Sequence, residues 1–175
     1  MRVVAGRFGG RRLTAPPGRA TRPTSDRVRE ALFSILGPLA GERVLDLFAG
    51  SGALGVEALS RGAAAVTFVD RDPRAVAAVR ANLEALGIDA RVVRQDARGA
   101  LRDARERRDA YDLVFLDPPY RQAPALAAEL AEALPPVLAP GARVVSESDR
   151  RAPLELALPL LDERRYGDTV IRIHA

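Results

Sequence analysis

Cysteine is absent from the 175 residues, which excludes disulfides and thiolate-held metals. Lysine is absent as well, so all 27 basic residues are arginine. A compositional bias accounts for that without any function, and it contributes to a pI of 10.5. The one histidine, His174, lies one residue from the end. That argues against a Ser-His-Asp triad and against a His-rich metal centre, and no metal is expected. No apolar run approaches the roughly 20 residues that span a bilayer. The start, MRVVAGRFGGRR, carries charge but no apolar h-region for a signal peptide. The cytoplasm is therefore the expected compartment, with no membrane partner.

What is present is a hydrophobic fraction of 47% at a mean hydropathy of -0.07, the balance of a globular chain able to bury a real core. One domain is expected over residues 1–175, with a basic arm and helix at 1–38 and a core at 43–175. The charge is uneven. Residues 1–29 hold eight arginines against one acid, Asp26, a net of +7; the remainder holds 19 arginines and 22 acids, a net of -3. The positive charge is thus an N-terminal feature on a slightly acidic body. It reads either as a solvated leader or as an arm that neutralises phosphates.

Two short strands are expected in RVVAG and RRLTA. Thr24 or Ser25 can cap a following helix in which Val28, Leu32, Ile35 and Leu36 recur at helical spacing, and Gly37-Pro38 ends it. From residue 43 strands and helices alternate. Strands are expected at 43–48, 64–70, 90–95, 111–116 and 142–148, and helices at 53–62, 73–87, 97–108 and around 123–134. Two last strands near 160–165 and 169–174 can pair through Gly167-Asp168. This pattern predicts an α/β fold, a mostly parallel sheet with helices on both faces. Ligands then sit at the carboxyl ends of the strands, where Phe48–Gly52, Asp70, Gln95–Asp96 and Asp117–Tyr120 should gather on one edge.

The loop LDLFAGSGALG (45–55) satisfies G-x-G-x-x-G through Gly50, Gly52 and Gly55. Glycines let the backbone turn and approach a ligand, but a tight strand-to-helix turn needs them for packing too. Asp46 is more telling, because a carboxylate in an apolar central strand is costly unless it is paired or hydrogen-bonded. Pyrophosphate would be repelled there. A ligand bearing an ammonium or sulfonium is suited, and S-adenosylmethionine bears both. The competing reading is a buried Asp bonded to loop amides. Asp70 can accept both hydroxyls of a ribose, which does not separate a nicotinamide cofactor from S-adenosylmethionine. Asp72 is expected to cap the next helix. Asp96 reads as an acceptor for an adenine amine, with the Ala97 backbone facing the ring, or as a helix cap; the two roles are compatible.

Asp117-Pro118-Pro119-Tyr120 ends the apolar strand YDLVFL. An exocyclic amine of a nucleobase is a poor nucleophile, since its lone pair is delocalised into the ring. Two acceptors aimed at its N–H bonds return density to nitrogen and orient it for in-line attack. Asp117 supplies one acceptor; the Pro118 carbonyl, held rigid by Pro119, supplies the other. Tyr120 offers a face on which a flipped base stacks. No strong general base is needed, because the amine loses its proton after attack.

These segments, VLDLFAGSGALG, VD at 69–70, QDA at 95–97 and DPPY at 117–120, resemble the ordered motifs of S-adenosylmethionine-dependent amino-methyltransferases. RPTSDRVREALFSIL (22–36) and VVAGRFGGRRL (3–13) narrow this. With them the chain resembles the bacterial small-subunit ribosomal RNA guanine-N2 methyltransferase family, RsmD. The resemblance runs from about residue 2 to the end, including VSES and the GDT before the last strand. It implies a seven-stranded Rossmann-like class I methyltransferase fold with an antiparallel C-terminal hairpin, its N-terminal helix closing over the cofactor. It places Asp46, Gly50 and Gly52 at the methionine end, with Phe48 in the same loop, Asp70 at the ribose and Asp96 at the adenine. Asp117 and Pro118 would hold the guanine N2 amine, and Tyr120 would pack on the base. Arg22, Thr24 and Arg27 match the upstream motif that contacts cofactor or substrate, and Arg2, Arg7, Arg11 and Arg12 would meet RNA phosphates. The implied partner is ribosomal RNA in an assembled or assembling small subunit, with the enzyme a monomer. Asp70 stands where the family commonly has glutamate, and Ser34 where it often has asparagine.

Other readings fit less well. A DNA adenine-N6 methyltransferase shares DPPY, but the chain lacks room for a DNA-recognition domain. A glutamine-directed protein methyltransferase would usually carry asparagine in place of Asp117. A nicotinamide oxidoreductase needs a second nucleotide-binding half and has no histidine placed for hydride chemistry. A non-catalytic RNA-binding module leaves DPPY without a purpose.

Overall fold

The structure, a computed structural model, describes residues 1–17, 25–119 and 123–175. The elements are α1 (Asp26–Leu36), β1 (Arg43–Asp46), α2 (Ala53–Ser60), β2 (Ala65–Asp70), α3 (Pro73–Leu86), β3 (Arg91–Arg94) and α4 (Ala97–Glu106). They continue with β4 (Tyr111–Leu116), α5 (Ala123–Ala133), a 3-10 turn (Pro135–Val137), β5 (Leu138–Asp149), β6 (Leu160–Tyr166) and β7 (Thr169–His174). The seven strands form one sheet in the order β3-β2-β1-β4-β5-β7-β6. The first five are parallel, and β7 and β6 are added antiparallel. This is the mostly parallel α/β sheet expected from the alternation of elements, with the seven strands that the family resemblance implies.

Alternating strand residues feed two cores. On one face Val44, Phe68, Leu113 and Phe115 pack with Leu32, Phe33, Val56 and Val79 of α1, α2 and α3. On the other, Leu45, Val69, Val114 and Leu116 meet Leu101 and Ala104 of α4 and Leu130 of α5. From β1 the chain moves outward to β2 and β3, then crosses back to β4 on the other side. The strand order reverses between β1 and β4, and there a crevice opens at the carboxyl ends.

Three expectations are corrected. The N-terminal strands do not form; residues 1–13 make a hairpin with one bridge, Arg2 to Arg12. Its amides are spent on the body instead. Val4 and Ala5 donate to the two Glu57 carboxylate oxygens at 2.7 and 3.0 Å, and Phe8 donates to Ser60 Oγ at 2.9 Å. Gly6, at φ 81°, lies so close that a Cβ would stand 1.9 Å from the Ser60 carbonyl oxygen. The first 17 residues are therefore not a free leader. Second, α1 does not bury the expected Ile35, which is 39% exposed. Its buried stripe is Arg29, Leu32, Phe33 and Leu36, a true i, i+3, i+4, i+7 face disguised by the arginine at its head. Arg29 donates to Asp26 Oδ1 at 2.7 Å and to the Arg2 carbonyl. Third, β5 begins at Leu138, four residues before the expected start, and its register with β4 then shifts between the Tyr111–Leu138 and Leu113–Arg143 pairs. Ser25 accepts the capping bond of α1, from the Val28 amide.

Candidate active site

The predicted strand-end residues gather on one edge. A cavity of about 300 Å³ opens there, lined by Leu47 and Phe48 after β1, Asp70 and Arg71 at β2, and Gln95 and Asp96 after β3. Ala97 and Arg98 of α4, Pro119, and Leu126 and Glu129 of α5 complete it. Phe48, Asp70, Asp96, Ala97 and Pro119 are thus brought together as expected. Arg71, Arg98, Leu126 and Glu129 were not legible in the sequence; nothing in an ordinary helix or loop marks which of its turns faces a cavity.

The glycine loop owes its shape to backbone geometry. The Gly52 amide donates to the Ala49 carbonyl at 2.6 Å, closing a tight turn in which Gly50 and Gly52 have φ of 56° and 79°. Ala49 donates to Val69 of β2, and Leu47 to Phe115 of β4, so the loop is fastened to both neighbouring strands. Gly55 serves packing, for a Cβ there would stand 2.3 Å from Phe68 Cε1.

Asp46, 2% exposed, lies on the α2 face of β1. Its Oδ2 accepts the Gly55 amide at 3.0 Å, one of the first-turn donors that α2 leaves unpaired, since its Gly52 cap offers no side chain. Burial pushes the Asp46 carboxyl up to about 7; the Gly55 bond opposes this and the Asp70 charge adds to it. Asp46 is thus bonded to an amide, the competing reading of the sequence, while its burial leaves the charge poorly stabilised.

Asp70 ends β2 with both oxygens engaged. Oδ2 accepts from the Gly50 amide at 2.9 Å and Oδ1 from Asp72 at 2.9 Å. Asp70 also lines the cavity. Asp72 caps α3 through Arg74. Asp96 caps α4 through the Gly99 amide at 2.7 Å while lining the cavity. On the β4 side, Asp117 is half-buried, Pro118 buried and Pro119 half-buried. Tyr120, Arg22 and Thr24 lie outside the described residues. His174 pairs with Val144 in the middle of β5, not at the strand ends.

Arg2, Arg7, Arg11, Arg12 and Arg27 are all exposed. Arg2 pairs with Asp26 at 3.3 Å, and Arg11 donates to the Ala85 carbonyl at 3.0 Å. Among the described residues no helix is long and apolar enough to cross a membrane.

The model of the family described as conserved hypothetical protein 95 matches residues 1–175. The putative rRNA methyltransferase YlbH of Bacillus subtilis is 50% identical over 125 residues, covering 70% of this chain and 68% of that protein. Ribosomal RNA small subunit methyltransferase D of Escherichia coli K12 is 42% identical over 124 residues, covering 70% of this chain and 61% of that protein. The aligned segment is thus less than two thirds of the E. coli protein. Among solved structures, a putative methyltransferase yhhF from Escherichia coli superposes with a TM-score of 0.82 at 35% identity, over 99% of this chain and 96% of that one. With its whole length matched, its fold shared and its strand-end motifs gathered at one crevice, the chain belongs to the conserved hypothetical protein 95 family, the RsmD family that its sequence motifs resemble.

Proposed function

We propose that the protein transfers a methyl group from S-adenosylmethionine to the exocyclic N2 amine of a guanine in small-subunit ribosomal RNA. The observation that carries this reading is the Asp117-Pro118-Pro119 turn at the end of β4, next to the glycine loop of β1 in the sheet. The names of the family's relatives support the RNA substrate.

The donor set suits the cofactor. Asp46 is a buried carboxyl titrating near neutrality, and a cationic ligand beside it would restore its charge. Gly50 and Gly52, both at positive φ, let the loop make its tight turn. Asp70 retains lone pairs for ribose hydroxyls, and Asp96 for an adenine amine beside the Ala97 backbone. Phe48 and Leu126 give the cavity apolar walls. The cofactor supplies a methyl group activated by its sulfonium. Asp117 and the Pro118 carbonyl accept the two N2 hydrogens of the base, holding the amine in line and raising its electron density. Pro119 stiffens the turn, and Tyr120 stacks on the flipped base. Arg22, Thr24 and Arg27 contact cofactor or substrate, and Arg2, Arg7, Arg11 and Arg12 lie along RNA phosphates. A particle, assembled or assembling, is the expected form of the substrate, and the enzyme acts as a monomer.

The test is Asp117→Ala with two readouts. Methyl transfer to ribosomal RNA should be abolished while S-adenosylhomocysteine still stabilises the protein in a thermal melt. Loss of both would make Asp117 structural. Stabilisation of the wild type by NADH and not by S-adenosylhomocysteine would overturn the reading altogether.

A further inference from the structure

We propose that Glu147 is the residue by which this site tells guanine from adenine, an inference that rests on the guanine reading above. β4 and β5 run parallel, and Leu116 beside Ser146 is their last paired position. One step further along each strand stand Asp117 and Glu147. Phe115 and Val145, two residues earlier, both belong to the core on the α1–α2–α3 face. Ile171, paired opposite Glu147 on β7, belongs to the same core. Continuing the alternation puts both carboxylates on that face, at the carboxyl edge of the sheet. Neighbouring strands are about 4.8 Å apart, so the two acids fall within the width of one base. Glu147 is only 5% exposed. Neither carboxylate is without an interaction in the folded chain, which makes them held groups and not loose surface charges. A carboxylate offers about four acceptor sites and no donor, so each has capacity left for a base.

The Watson–Crick edge of guanine presents N1–H beside the N2 amine, three donors in a row. Adenine presents its amine beside an N1 lone pair. Asp117 and the Pro118 carbonyl take the two amine hydrogens in either case and cannot distinguish the bases. An acceptor on the adjoining strand can, because N1–H of guanine donates to it while N1 of adenine faces it lone pair to lone pair. Glu147 occupies that place, and it is longer than aspartate by one methylene, as a residue reaching in from the next strand must be. Discrimination then includes a repulsive component against adenine.

The experiment uses tritiated S-adenosylmethionine and small-subunit ribosomal RNA in which the mapped target guanosine is kept or replaced by 2-aminopurine riboside. The analogue retains the N2 amine but carries a lone pair at N1. The wild type should strongly favour guanosine. In Glu147→Gln the amide can donate to that lone pair. The kcat/KM on guanosine should fall about 10- to 100-fold while that on 2-aminopurine holds or rises, so the preference shrinks at least about tenfold. Loss of both in equal proportion would mean a structural role and overturn the inference, as would an unchanged preference. If Glu147→Gln does not fold, judged by S-adenosylhomocysteine binding, Glu147→Asp decides. It keeps the charge but withdraws the acceptor, and guanosine alone should suffer; equal losses or none would again overturn the inference. A wild type that forms no N2-methylguanosine refutes the guanine reading itself, whereas equal losses in an active background refute only the role of Glu147.

Discussion

Asp46 carries a cost that pH exposes. Its carboxyl titrates near 7 in the folded chain against 3.8 unfolded, so the folded state holds the proton more tightly. Stability from this group is present below about pH 4 and is lost as pH rises to about 7, a penalty on the order of a few kcal/mol above that. Asp46→Asn, which still accepts the Gly55 amide, should flatten the profile between pH 4 and 7 and raise the melting temperature at pH 8. A variant profile that keeps the wild-type slope would place the titration elsewhere. Binding should run the opposite way. A ligand ammonium favours the ionised carboxylate, so wild-type affinity for S-adenosylhomocysteine should rise with pH up to about 7 and then level off. Calorimetry on the asparagine variant should show weaker binding without that rise.

At the scale of elements, the α2 helix is the junction of the molecule. It starts in the glycine loop, and the N-terminal hairpin grips it at Glu57 and Ser60. Asn82 of α3 donates to the carbonyls of both Thr14 and Ser51. Glu57 also bonds Arg61 Nε at 2.7 Å, and breaking a buried charged network of this kind costs about 3–5 kcal/mol. Glu57→Gln should therefore release the hairpin, seen as faster hydrogen exchange over residues 1–13 with the sheet amides still protected. Gly55→Ala should destabilise by about 1–3 kcal/mol, because its Cβ has no room beside Phe68 and Val66; a stabilised variant in urea denaturation would contradict that packing. These contacts explain what the sequence could and could not tell. The β/α alternation, the caps at Asp72 and Asp96 and the strand-end motifs are local patterns and were readable. Arg29, Glu57 and Asn82 were not. Each is an ordinary helix residue until a partner more than 25 positions away is folded against it, and an arginine heading a buried stripe reads as solvent-facing by periodicity alone.

At the scale of the whole molecule, the proposed function would have the arginine-bearing hairpin hold RNA while the crevice at the strand ends holds the cofactor. Neutralising Arg7 and Arg12, both exposed, should weaken RNA binding. It should also lower the slope of log K against log salt by about 0.7 to 0.9 for each phosphate left without its arginine, with S-adenosylhomocysteine affinity unchanged. Which arginines are docked and which face outward was invisible in the composition, since it depends on where the hairpin lies against α2 and α3. Guanine N2 is the atom proposed to receive the methyl group. Supplying tritiated S-adenosylmethionine with small-subunit ribosomal RNA and with assembled subunits, then digesting to nucleosides, tests it directly. Label is expected in N2-methylguanosine; label in N6-methyladenosine would refute guanine as the methylated base.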